Sequence, residues 1–146
     1  MTVRNAVESD VEKLAILFDA YRIFYEKESN LTEAKKFLFD RIVNKESWII
    51  VAMEEGDLVG FVQLYPLFSS TRMKKLWLLN DLFVVENFRG KGISKQLIEK
   101  CKDVCDDTGA CGLMLETAKT NKTGNSLYVK TGFILDADHN YYSWDN

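Results

Sequence analysis

Between Leu76 and Gly109 the chain runs LWLLNDLFVV, then ENFRGKG, then ISKQLIEKCKDVCDDTG. The first run is apolar and β-branched enough for a buried strand. The last carries Ile93, Leu97, Ile98, Cys101 and Val104 at helical spacing, with Gly109 as its stop. A strand that enters a helix through a turn of two glycines and several cations demands a sheet with a helix packed on it. It also leaves the unpaired N–H groups of the helix start beside positive charge, a site for an anion. Gly90 and Gly92 let the backbone turn sharply and approach a ligand closely, and Arg89, Lys91 and Lys95 surround it with charge. Phosphate oxygens suit that geometry. The P-loop spacing GxxxxGK[ST] is absent. A dinucleotide-binding GxGxxG would need glycine where Lys95 stands.

The remaining pattern fills in the sheet. A short N-terminal strand leads to Ser9 and Glu12, spaced as a capping box. An amphipathic helix follows through Val11, Leu14, Ala15, Leu17, Phe18 and Tyr21. A second helix, LTEAKKFLFDRIVNK, presents Ala34, Phe37, Leu38, Arg41 and Ile42 on one face. SWIIVAMEE and LVGFVQLYPLF read as strands joined by an EEGD hairpin turn, the second closed off by Pro66. CGLMLETA is a buried strand, NKTGNSLYVKTGF a short helix ended by Gly132, and HNYYSWDN a terminal strand. The predicted order is β-α-α-β-β-β-α-β-α-β-β, an α+β (mixed α/β) fold in one domain, residues 1–146.

Composition narrows the class. With 47% hydrophobic and 28% charged residues the chain reads as soluble and globular, and a net charge of −3 gives it no overall field for nucleic acid. No apolar run approaches the roughly 20 residues of a membrane span. The start, MTVRNAVESD, lacks the apolar stretch of a secretory signal. Three cysteines without a CxxC, and one histidine, make a metal site an unpromising reading and reduced thiols in the cytoplasm the expected one.

The stretch Arg89-Gly90-Lys91-Gly92-Ile93-Ser94 fits R/Q-x-x-G-x-G/A, the pyrophosphate loop of the GNAT N-acetyltransferases, with Ser94 in place of Gly or Ala. About 30 residues on, NKTGNSLYVKTGF resembles a second motif of that family, with Asn121, Tyr128, Lys130, Gly132 and Phe133 in place and Gly124 where alanine is usual. The order of elements resembles the family's from end to end. The resemblance implies acetyl-CoA as donor, no metal, and attack by an amine directly on the thioester. It implies that main-chain groups of Leu82, Phe83 and Val84 hold the carbonyl and the pantetheine arm, and that residues 89–95 with Asn121 hold the rest of the donor.

The chemistry needs a free amine, a stabilised oxyanion and an acid for the leaving thiolate. An alkyl amine of pKa about 10.4 is neutral in only about one molecule in 2,500 at pH 7, so a base or water chain is useful. Tyr128 is the candidate acid, the alternative being an ordinary aromatic at a helix end. LLNDLFV resembles a strand of diamine acetyltransferases that bears a glutamate where this chain has Asn80, which cannot take a proton. Asp81 and Glu116 are the other base candidates, each equally readable as a structural carboxylate. Strand alternation puts Asp81 on the face of Phe83, opposite Asn80, unless a bulge intervenes. For the acceptor, Tyr21, Tyr25, Glu26 and Glu28, with Gln63, Tyr65 and Asn80, suit a cationic amine: a small amine, polyamine, amino acid or basic peptide. The middle strands resemble the branch containing yeast histone, polyamine and D-amino-acid acetyltransferases. A CoA-binding module without turnover is the rival reading. The aromatic end YYSW offers a strand that a second copy could pair with, so a homodimer is one expectation.

Overall fold

The computed structural model describes residues 1–146, which pack as two compact units, 1–116 and 117–146. The first holds a five-stranded sheet in the order β1-β2-β3-β4-β5: Thr2–Asn5, Trp48–Glu54, Asp57–Ser69, Lys74–Val84 and Leu113–Met114. The first three pairings are antiparallel and β4 with β5 is parallel. Helices α1 (Val11–Phe24) and α2 (Leu31–Val43) cover one face. On that face Leu14, Phe18 and Leu38 bury against Ile49, Val51 and Phe61, as the helical spacing predicts. Truncating a buried leucine of this kind to alanine costs about 2–5 kcal/mol.

Helix α3 (Ile93–Thr108) covers the other face, burying all five residues named from the sequence together with Cys105. Gly60 lets it sit close. A Cβ there would meet the Phe83 carbonyl at 3.0 Å and Leu97 Cδ1 at 3.4 Å. Trp77 adds a tie by donating its indole N–H to Thr108 Oγ1 at 3.0 Å. No helix is long and apolar enough to cross a membrane.

Several local expectations change. The turn before α1 is capped by Asp10, which accepts from the Val7 N–H at 2.8 Å, and not by a Ser9–Glu12 box. Arg4 grips the same carboxylate at 2.8 and 2.9 Å. Pro66 does not end its strand. It pairs with Trp77, whose N–H points the other way, to the Gly112 carbonyl, so the nitrogen of Pro66 faces the side that β2 has already left. The predicted CGLMLETA strand shrinks to Leu113–Met114.

In the second unit α4 (Lys122–Lys130) forms as read, but the two closing strands do not. Residues 133–146 hold neither helix nor strand. Asp136 accepts the N–H groups of Asp138 and His139 at 2.9 and 3.1 Å, side-chain bonds that compete with a sheet ladder. The strand through which a second copy was expected to add is therefore not formed.

Candidate active site

Strand β4 organises the site. Its register against β3 slips between Gln63 and Leu64: Gln63 faces Asp81 while Leu64 faces Leu79, so Asn80 is an extra, bulged residue. The bulge leaves Asp81 on the α1–α2 face, with Phe83 and directly beside Gln63. There Asp81 is 4% exposed and Gln63 fully buried. Gln63 Nε2 donates to Asp81 Oδ2 at 2.7 Å, and Asn80 Nδ2 donates to Oδ1 at 2.9 Å. Ser47 Oγ donates to Gln63 Oε1 at 2.8 Å. Tyr21, from the last turns of α1, sends its hydroxyl to the Asn80 carbonyl at 3.4 Å and also bonds the Asp81 carboxylate.

Burial pushes the Asp81 carboxyl above its ordinary value, against the lowering effect of the donors from Gln63, Tyr21 and Asn80. Tyr65 sits on the same strand face as Gln63. Burial, and then the charge of Asp81, push its phenol up to about 12. Asp81 has no ion-pair partner. Arg41 of α2 lies over the Phe37 ring at 4.3 Å and is paired with Glu46 at 3.1 Å.

The structure thus brings Tyr21, Gln63, Tyr65, Asn80 and Asp81 together. Tyr25 stands at the rim, its ring 5.0 Å from that of Tyr21. Glu26 and Glu28 are exposed beyond the end of α1, and Glu26 has positive φ. Glu116 is exposed, two residues past β5, with no hydrogen bond to the cluster. Of the carboxylates named from the sequence as base candidates, only Asp81 joins it. Ser47 escaped sequence reading because only the β2–β3 register sets it diagonally across from Gln63. Its signal was indirect: a glutamine inside the apolar run LVGFVQLYP.

Beyond the bulge β4 has an open edge. Strand β5 pairs only with Trp77 and Leu78, leaving residues 79–84 without a strand on that side. The Val85 N–H bonds to the Val59 carbonyl across the β3 side, so alternation turns the backbone groups of Leu82 and Val84 to the open edge and those of Phe83 inward. This corrects the expected trio: Phe83 contributes its ring, 6.1 Å from Tyr21, and not its main chain. The Val84 carbonyl is also committed, to Arg89 Nε at 2.8 Å.

The turn after β4 fits an anion. Gly90 and Gly92 have φ of 76° and 81°, a region that L side chains rarely enter. No side chain caps α3, and its first backbone bond is from Gln96 N–H to the Gly92 carbonyl. The N–H groups of Ile93, Ser94 and Lys95 therefore point out of the helix start without an intrahelical acceptor. Ile93 buries its own side chain and offers only backbone. Lys95 is exposed, and Lys91 lies 5.0 Å over the Phe88 ring. Arg89 departs from expectation, its guanidinium lying over Phe24 and Phe83 at 5.6 and 5.5 Å. It braces α1 against β4 and does not line the turn.

In the second unit Asn121 caps α4, accepting from the Gly124 N–H at 3.0 Å and donating to Thr117 Oγ1 at 2.9 Å. Tyr128 sits in the last turns of α4, its ring edge-on to Phe133 at 5.7 Å. No group of three histidine, cysteine or acidic residues could hold a metal.

The chain is similar to known proteins in sequence and in fold. The acetyltransferase (GNAT) family profile matches residues 14–133. The chain is 43% identical over 142 residues to YhfO of Bacillus subtilis, described as an uncharacterized N-acetyltransferase, covering 97% of this chain and 95% of that one. A crystal structure of a probable acetyltransferase superposes with a TM-score of 0.95 at 34% identity, over 100% of this chain and 98% of the other. The yeast D-amino-acid N-acetyltransferase HPA3 is 30% identical over 83 residues, 57% of this chain and 52% of that protein. The chain belongs to the GNAT family of acetyltransferases.

Proposed function

We propose that this protein moves the acetyl group of acetyl-CoA to a primary amine by direct attack in a ternary complex. One observation carries the reading: a single strand, β4, bears a buried carboxylate on one face, an open backbone edge beside it and, at its end, a turn of two positive-φ glycines before an uncapped helix. Acetyl-CoA, when bound, supplies an activated thioester. The N–H groups of residues 93–95 hold its pyrophosphate, with Lys91 and Lys95 adding charge, and the outward groups of Leu82 and the Val84 N–H hold the pantetheine arm and the carbonyl. Asp81, raised by burial, takes the proton that the amine must lose. Tyr128 gives its proton to the departing thiolate, a role that rests on the NKTGNSLYVKTGF motif. The nitrogen–carbon bond forms as the carbon–sulfur bond breaks, and the products are an acetamide and a free thiol.

The acceptor is a small amine, polyamine, amino acid or basic peptide. Tyr21 and Tyr25 at the rim, with Asp81 below, favour a cationic group entering through aromatics. The similarity to a relative named for D-amino acids supports including amino acids of both hands in a panel. The test is thiol release from acetyl-CoA over that panel, in wild type and Tyr128→Phe. Saturable release that drops in the variant supports the reading. Tight CoA binding with no release by any amine would favour a binding module instead, a reading helped by Asn80, whose amide serves Asp81 and cannot act as a base.

A further inference from the structure

We propose that Gln63 is a positioning residue that aims Asp81 at the amine and sets the pH at which Asp81 takes its proton, with Ser47 fixing the orientation of Gln63. This rests on the reading of Asp81 as the base. The order of donors in the chain is what carries it. The Ser47 hydroxyl donates to Gln63 Oε1, which commits that oxygen and leaves Nε2 to face Asp81 at 2.7 Å. A flipped carboxamide would turn an oxygen toward the carboxylate. Asn80, the bulged residue, supplies the second donor on the other oxygen at 2.9 Å. Each carboxylate oxygen thus receives a side-chain amide N–H and keeps lone-pair capacity for an incoming proton.

Stability alone gives no reason for this arrangement. A buried carboxylate held by neutral amides and no cation costs more than an apolar pair of similar shape. The groups facing Asp81 are few: the phenol of Tyr21 from α1, the phenol of Tyr65 and the amide of Gln63 from β3, and Asn80 on β4 itself. From α2, Arg41 is engaged by Glu46 and acts on Tyr65. Gln63 is therefore the buried neighbour with the shortest direct bond to the carboxylate.

The test is a titration of Asp81 Cγ by carbon NMR in the labelled protein, run beside the pH profile of kcat/KM. Losing a donor to a charged group is expected to raise the Asp81 midpoint in Gln63→Leu by about one to two pH units. The acidic limb of the rate should move up with it and activity should recover at higher pH. Ser47→Ala is expected to give a smaller shift in the same direction, and Ser47→Thr to restore the wild-type midpoint. A folded Gln63→Leu with an unmoved midpoint overturns the inference. Should that variant not fold, an unmoved midpoint in Ser47→Ala does the same. A midpoint that moves while the acidic limb stays put leaves Gln63 tuning Asp81 but removes Asp81 as the base. An acidic limb retained in Asp81→Asn removes it independently.

Discussion

At the scale of single residues, carboxylates shifted in opposite directions shape the pH response. Asp10 is lowered chiefly by its hydrogen bond from Arg4, and Asp19 by its bond from Ser29, with Asn30 N–H adding to it. Groups lowered in this way stabilise the fold above the ordinary carboxylate range and lose that contribution as pH falls through their folded pKa. Asp81 is raised, so the native state holds its proton longer than the unfolded chain does. Its contribution is fully present below the ordinary carboxylate pKa and is lost as pH rises through its folded value. Urea midpoints measured against pH should therefore separate them. Asp10→Ala is expected to lose about 1–3 kcal/mol at neutral pH and to converge on wild type in acid. Asp81→Asn is expected to keep or gain midpoint at neutral pH while kcat/KM falls about 100- to 10,000-fold. Equal loss of stability and activity in Asp81→Asn would make that carboxylate structural.

At the scale of elements, the start of α3 and the start of α4 make contrasting predictions. In Gly92→Val nothing lies within 4 Å of the new Cβ, so the cost is backbone strain at φ 81°, about 1–2 kcal/mol. The valine would also stand at the mouth of the anion turn, and CoA binding by calorimetry should weaken at least about 100-fold, whereas Ser94→Gly should leave it nearly intact. In α4 the alanine common in the family would be no improvement. A Cβ on Gly124 would press on the Asn121 carboxamide, 2.9 Å from its Cγ. The roughly 1 kcal/mol of helix propensity gained is offset by a cap of similar worth. A Gly124→Ala protein more stable by a full 1 kcal/mol would contradict this account of the cap.

At the scale of the whole molecule, the sheet, its helices and the anion turn were readable because each has a local cause. Helical spacing placed Leu14, Leu38 and Leu97 inward, the EEGD turn closed its hairpin, and two glycines before an uncapped helix marked the turn proposed to hold an anion. The acceptor side was legible only as a set of candidates. Whether Asp81, Gln63 and Tyr65 meet depends on a one-residue slip between β3 and β4, and strand alternation gives no sign of where a bulge falls. Ser47 depends on register alone. The motif places Arg89 in the turn, while two aromatic rings and the Val84 carbonyl draw it elsewhere. The closing strands failed for a local reason too, the Asp136 turn, which a run of aromatics does not announce.

The most direct test is steady-state thiol release from acetyl-CoA against a panel of primary amines, with wild type, Gly92→Val and Asp81→Asn side by side. Release is expected to saturate in at least one amine. It should be weakened through KM for acetyl-CoA in Gly92→Val and through kcat in Asp81→Asn. Tight CoA binding with no amine-dependent release, or release indifferent to both substitutions, would contradict it.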